Sequence, residues 1–260
     1  MPEIPELNIL AKVIERKFKR QKVDKLEINW IKKLNAPKEE YEQAVVGSIL
    51  LSVKRVGKEL YLTFDNGVVL SIHLMIIGTI NLLPLSKPVK YSIFDLWFEN
   101  DEGIGVADSF GQAKLTLNPS PKQAPEVLTD DFTLEYFAEL LKKGRTPIKT
   151  LLLDQNKLVG IGNATADEVL YACRISPVSS SKFIPEEKVR ELFETIPLCL
   201  NSQESHILAN KSVSDTFEMK DKGHRFVHNP VNTHTEDGEA IIKAKINGRL
   251  TYYTESQIKY

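Results

Sequence analysis

Leu7, Leu10, Ala11, Ile14 and Phe18 recur at the three-to-four-residue spacing of one helix face, with Lys12, Glu15, Arg16 and Lys17 between them. That spacing predicts an amphipathic helix over residues 5–20. From Val23 to Leu117 the period changes to two. Leu60, Leu62 and Phe64 alternate with Tyr61 and Thr63, and Asp65-Asn66-Gly67 turns the chain into Val68–Leu74. Tyr91–Phe98 and Ala113–Leu117 read as further strands around glycine-bearing turns. Short strands joined by tight turns predict an antiparallel sandwich.

The pattern breaks at Asn118–Asp131, where Pro119, Pro121 and Pro125 read as a linker, and then turns helical. Thr133–Lys143 is amphipathic and stops at Gly144, and Pro147 opens a short helix through Leu153. Gly160-Ile161-Gly162-Asn163 leads into a helix over Ala164–Arg174, with Asn163 as the expected N-cap. Pro185–Leu200 is another helix, and Ile241–Ile246, Asn247-Gly248 and Arg249–Thr254 form a strong hairpin pattern. The expected fold class is α+β. An N-terminal β-sandwich with a leading helix spans 1–120, a linker 121–131, a helical domain 132–223 and a hairpin module 224–260.

Composition narrows the function. Among 260 residues, 42% are hydrophobic, and no run approaches the roughly 18 apolar residues of a membrane span. The opening MPEIPELN lacks the basic start and apolar run of a signal peptide, so a cytoplasmic protein without membrane attachment is expected. Cys173 and Cys199 form no CxxC pair, which excludes a disulfide framework and a cysteine zinc site. The net charge of −1 hides a local excess. Residues 12–38 hold ten Lys or Arg against three acids, either a solvated face or a patch for a polyanion.

The segment Pro147–Pro177 carries the first candidate chemistry. Two helices meet at Gly-Ile-Gly-Asn, and the second begins with outward N–H groups and a positive dipole end, an anion site suited to a DNA phosphate. Its residues Pro147, Ile148, Lys149, Leu152, Leu153, Asp154, Gln155, Gly160, Ile161, Gly162, Asn163, Ala166, Asp167 and Glu168 resemble, in order, the helix–two-turn–helix of the formamidopyrimidine-DNA glycosylase/endonuclease VIII family. Thr165 stands where that family usually has Tyr.

The amino terminus carries the second. Pro2-Glu3-Ile4-Pro5-Glu6 resembles the Pro-Glu-Leu-Pro-Glu that starts family members once Met is removed. An N-terminal proline is a secondary amine that titrates near about 8, so part of it is unprotonated at neutral pH. It can attack a sugar carbon and form an iminium ion that makes strand elimination feasible. Glu3 suits acid/base work on the ring oxygen and leaving groups, and Glu6 suits orienting the flipped sugar or a water. Tautomerases also use an N-terminal proline, as a base, but they are small chains without this helical motif.

Arg55-Val56-Gly57-Lys58 resembles the family's RxGKxLxL strand, which implies a phosphate contact for Lys58, and Gly248-Arg249 resembles its finger, which implies another for Arg249. With Asn163 these would pinch the backbone and favour extrusion of the damaged nucleotide. Lys149 and Gly162 come from the same motif as expected DNA contacts, and His228 stands near a DNA-touching Tyr of relatives. The family's two CxxC pairs are replaced by Asn232, Thr235, Thr254 and Gln257, so a zincless finger and no cofactor are expected. His224, His228 and His234 lie nearby as exposed residues. In the wedge, HLGMSG becomes His73-Leu74-Met75-Ile76-Ile77-Gly78, so Ile76 replaces the usual Met plug. Asp108-Ser109-Phe110-Gly111 keeps the aromatic wedge in Phe110, but puts an acid that would repel phosphate at Asp108. The short stretch Thr216–His224 after Ser214-Asp215 tilts lesion choice towards pyrimidine or ring-opened products.

The resemblance implies a monomeric base-excision-repair glycosylase of oxidised bases with AP lyase activity. It would act on double-stranded DNA with damaged bases or abasic sites, held in a cleft between two domains. The alternative is a non-catalytic relative that binds damaged or abasic DNA.

Overall fold

The computed structural model describes residues 2–84, 90–209 and 225–260. The chain divides into two compact units. Pro2 and Glu6–Pro121 build the first, and Glu3–Pro5 with 122–209 and 225–260 build the second. The Thr216–His224 stretch lies outside the described residues.

Two four-stranded antiparallel sheets make the first unit. One orders β1 (Val23–Ile28), β6 (Ser92–Phe98), β7 (Gly103–Ala107) and β5 (Thr79–Leu83). The other orders β2 (Leu50–Val56), β3 (Glu59–Phe64), β4 (Val69–His73) and β8 (Lys114–Leu117). Leu60, Leu62, Phe64, Leu70 and Ile72 of the second sheet share one apolar core with Phe94, Leu96, Ile104 and Val106 of the first. Helix α1 (Ile4–Phe18) closes that core with the face the periodicity picks out, and Phe18 stacks on Phe98 at 4.6 Å. Helix α2 (Lys38–Val45) buries only Tyr41 and Val45, one turn apart, which is too little pattern to read from sequence.

Register sets two loops side by side. One runs from His73 to Thr79 and the other from Ala107 to Lys114. His73 pairs with Lys114 at one end and Thr79 with Ala107 at the other. Both loops therefore cross together from one sheet to the other.

The basic run is dispersed. Lys17, Lys19, Lys22, Lys25 and Lys38 pair with Glu102, Glu15, Glu99, Glu27 and Glu42 at 2.9, 2.6, 2.7, 2.6 and 3.3 Å. These are part-exposed pairs of the weak kind, and the solvated-face reading accounts for them better than a polyanion patch does.

In the second unit, α3 (Leu134–Lys143) starts where Thr133 Oγ1 accepts the Tyr136 N–H at 3.1 Å. It is followed by α4 (Ile148–Leu152), α5 (Asn163–Ala172) and α6 (Glu186–Ala209). Phe132, Phe137, Leu152, Ile161, Val169 and Leu192 share its core. The proline-bearing stretch read as a linker is partly built into that core, because Val127 is buried and Glu126 bridges Val159. The hairpin β9 (Ile242–Ile246) and β10 (Arg249–Tyr253) turns through Asn247 and Gly248, with φ of +47° and +77° as a tight primed turn requires. No helix among the described residues is long and apolar enough to cross a membrane.

Candidate active site

In the first unit, Glu6 is buried in the opening turn of α1, and Pro2 is half-buried. Lys58 sits at the β2–β3 turn, where Gly57 takes a φ of +58°. Arg55 fixes that turn. Its Nε donates to Asn8 Oδ1 of α1 at 2.5 Å, and its guanidinium donates to the Gly57 carbonyl at 2.9 Å. One side chain thus ties the Lys58 turn to the helix that carries Glu6.

The paired loops carry the exposed apolar side chains Ile76, 57% exposed, and Phe110, 61% exposed. Met75 adopts a left-handed φ of +55°, a conformation that favours glycine, and His73 Nδ1 accepts its N–H at 2.9 Å. His73 is thereby half-buried in a bracing role at the loop's base. Asp108 corrects the sequence reading. Its carboxylate is buried and accepts the N–H groups of Phe110, Gln112 and Ala113 at 2.8, 2.8 and 2.7 Å, so it shapes the loop rather than repelling phosphate. Trp30 lies beneath, with its Nε1 donating to the Gly111 carbonyl at 3.1 Å.

In the second unit, Glu3 is 3% exposed, and its carboxylate seats on the start of α5. It accepts the Ala164 N–H and the Thr165 N–H, each at 2.9 Å, and the Thr165 hydroxyl at 2.6 Å. This changes two expectations. The N-cap is Gly162 rather than Asn163, and the backbone donors of Ala164 and Thr165, read as part of a phosphate site, hold the chain's own carboxylate instead. Gln155 braces the preceding turn, its Nε2 donating to Ile161 O at 3.0 Å and its Oε1 accepting the Gly160 N–H at 3.0 Å.

Lys149 also departs from expectation. It is 1% exposed, and its ammonium lies 2.7 Å from Asp167 Oδ1, so it is a buried cation and not a surface contact for DNA. Burial pulls its pKa below the ordinary lysine range, against the pull of Asp167. Asp167 also accepts the Tyr252 N–H at 3.0 Å and meets His228 Nδ1 at 2.7 Å. His228 is half-buried and tilts against the Tyr252 ring. Asn163 Nδ2 donates to the Leu250 carbonyl at 2.8 Å, and Arg249 is exposed at the hairpin tip. Sequence reasoning missed the role of Glu168. Its buried carboxylate accepts the N–H groups of Phe226, Val227 and His228 at 2.9, 3.0 and 2.7 Å. Burial nonetheless raises its pKa.

The positions that hold family zinc do not fit a metal here. Gln257 Oε1 closes a turn by accepting the Thr254 N–H at 2.8 Å, and Thr235 Oγ1 accepts the Glu239 N–H at 3.1 Å. Arg174 joins the two turns, donating to Glu239 Oε2 at 3.1 Å and Ser256 Oγ at 2.6 Å, while Ser256 donates to Glu239 at 2.8 Å. Of the three nearby histidines, His228 is engaged by Asp167, His234 lies against Thr233, and His224 is outside the described residues. Burial pushes the Cys173 thiol up to about 11 and the Cys199 thiol up to about 12, so neither is a thiolate at neutral pH.

A formamidopyrimidine-DNA glycosylase N-terminal domain model matches residues 1–112, and the corresponding H2TH domain model matches residues 123–212. The formamidopyrimidine-DNA glycosylase of Carboxydothermus hydrogenoformans is 32% identical over 202 residues, covering 75% of this chain and 74% of the relative. That of Rickettsia bellii is 28% identical across 98% of both chains. The structure of the Lactococcus lactis glycosylase non-covalently bound to DNA containing an AP site superposes with a TM-score of 0.88 at 25% identity, over 99% of this chain and 100% of that one. The chain belongs to the formamidopyrimidine-DNA glycosylase family, a family of DNA glycosylases.

Proposed function

We propose that this chain is a bifunctional DNA glycosylase and AP lyase that removes oxidised bases from double-stranded DNA through its amino-terminal proline. With Met1 removed, the Pro2 nitrogen lone pair attacks C1′ of the damaged nucleotide, the glycosidic C1′–N bond breaks with its electron pair going to the base, and the proton shed by the Pro2 nitrogen balances the one the base takes up. A proton delivered to the ring oxygen lets the C1′–O4′ bond open, leaving an iminium ion between Pro2 and C1′. That cation withdraws electrons, so loss of a C2′ proton expels the 3′ phosphate, and loss of a C4′ proton then expels the 5′ phosphate.

The observation that carries this reading is the seat of Glu3. The residue after the nucleophile has its carboxylate fixed in one orientation by three donors from α5, which suits proton transfer next to Pro2 without reorganisation of the side chain. Glu6 suits the sugar or a water. Lys58, Asn163 and Arg249 suit the phosphates, and Ile76 and Phe110 suit the gap left by an extruded nucleotide. Incision of a duplex carrying one abasic site, compared with affinity for that same duplex, tests the reading. An enzyme nicks at protein concentrations that bind, whereas a pure binding protein leaves the strand intact.

A further inference from the structure

We infer that Lys149 and Asp167 are positioning residues for Arg249: a buried ion pair that locks the hairpin onto α5 and so aims the arginine at its phosphate. Three consecutive residues after Arg249 are tied to this pair. Lys149 Nζ donates to the Leu250 carbonyl at 3.2 Å and to Thr251 Oγ1 at 2.8 Å, and Asp167 accepts the Tyr252 N–H at 3.0 Å. Asn163 Nδ2 holds the same Leu250 carbonyl at 2.8 Å. On the other side of the turn, Asn247 Nδ2 donates to Thr150 Oγ1 at 2.8 Å, next to Lys149 in α4. His228 completes the environment of Asp167 at 2.7 Å.

A two-stranded hairpin alone is marginally stable and would leave its tip free to move. Here both flanks of Arg249 are pinned to the two helices that meet at the Gly160–Asn163 turn. Both side chains of the pair are almost fully buried, so neither is available to solvent or to a ligand. Both charges must come out of water to form such a pair, which makes it weak evidence for stability alone. What it supplies is a single register between hairpin and helices.

This inference rests on the phosphate-gripping role proposed for Arg249, and a double-mutant cycle separates the two. Affinity for a duplex with one tetrahydrofuran abasic analogue is measured for wild type, Lys149→Met, Arg249→Ala and the double variant, with thermal melting of each. Lys149→Met is expected to weaken binding about tenfold, and the double variant to bind no more weakly than Arg249→Ala. The slope of log affinity against log salt is expected to fall by about one in Lys149→Met, as it does in Arg249→Ala, although Lys149 itself is buried. Full additivity of the two losses, or an unchanged salt slope in Lys149→Met, overturns the positioning role alone. Wild-type affinity in Arg249→Ala overturns the role of Arg249 and this inference with it. Should Lys149→Met fail to fold, Lys149→Met/Asp167→Leu leaves no buried charge unpaired and is run through the same cycle with the same expectations.

Discussion

The carboxylate of Glu3 occupies the space that a side chain on Gly162 would need: a Cβ at that position would lie 2.1 Å from Glu3 Cδ. The obstacle is the far end of a flexible side chain, so Gly162→Ala displaces the carboxylate rather than the backbone. Base release from duplex DNA under single-turnover conditions is expected to fall by about two orders of magnitude or more. The melting temperature is expected to fall as well, because the displaced carboxylate gives up three buried hydrogen bonds. A large melting shift with unimpaired base release would contradict this.

Thr165 stands where the family usually has tyrosine, and its hydroxyl supplies one of the three hydrogen bonds to Glu3. A hydrogen bond to a charged group contributes about 1.5–3 kcal/mol. Thr165→Val is therefore expected to slow base release roughly tenfold or more, and Thr165→Ser to restore it. Elimination at a preformed abasic site, which shares the ring-opening step but has no base to expel, is expected to slow by a smaller factor. Equal losses in both assays would show a general structural defect.

Arg174, Glu239 and Ser256 link the two turns that zinc would join in relatives. Incubation with 1,10-phenanthroline is expected to leave incision unchanged, and elemental analysis to find far less than one metal per chain. Arg174→Met is expected to weaken DNA binding several-fold, with the loss depending on salt as exposed ion pairs do. Stoichiometric zinc, or loss of activity on chelation, would contradict the assignment.

Phe110 is held out from its loop by the grip of Asp108 on three backbone N–H groups. Unstacking a base costs a few kcal/mol, and a wedge that fills the gap offsets part of it. Phe110→Ala is expected to slow excision from a fully paired duplex about tenfold or more, and to slow it less when the lesion lies in single-stranded DNA. An equal loss on both substrates would remove Phe110 from the extrusion step.

Strong periodicity made much of this legible in the sequence. The apolar stripe of α1, the alternation of β3 and the Asn247-Gly248 turn each agree with the fold they form, because local pattern and burial point the same way. What escaped was long-range pairing of polar groups. Nothing local to Asp108 says that its carboxylate folds back onto its own loop. Nothing local to Lys149 says that Asp167, eighteen positions on, buries it. The seat of Glu3 on α5 joins residues more than 160 positions apart, beyond the reach of any spacing rule. The clue available was chemical: a motif rich in charged residues inside an apolar helical segment must pair them.

The central claim is that the Pro2 nitrogen bonds to the sugar. Borohydride reduction of the protein on a duplex containing an abasic site, followed by peptide mass mapping, tests it directly. The account predicts a stable adduct on Pro2 of chains that have lost Met1, and none on chains that retain it. An adduct on a lysine, or no adduct with fully processed protein that still cuts the strand, would contradict it.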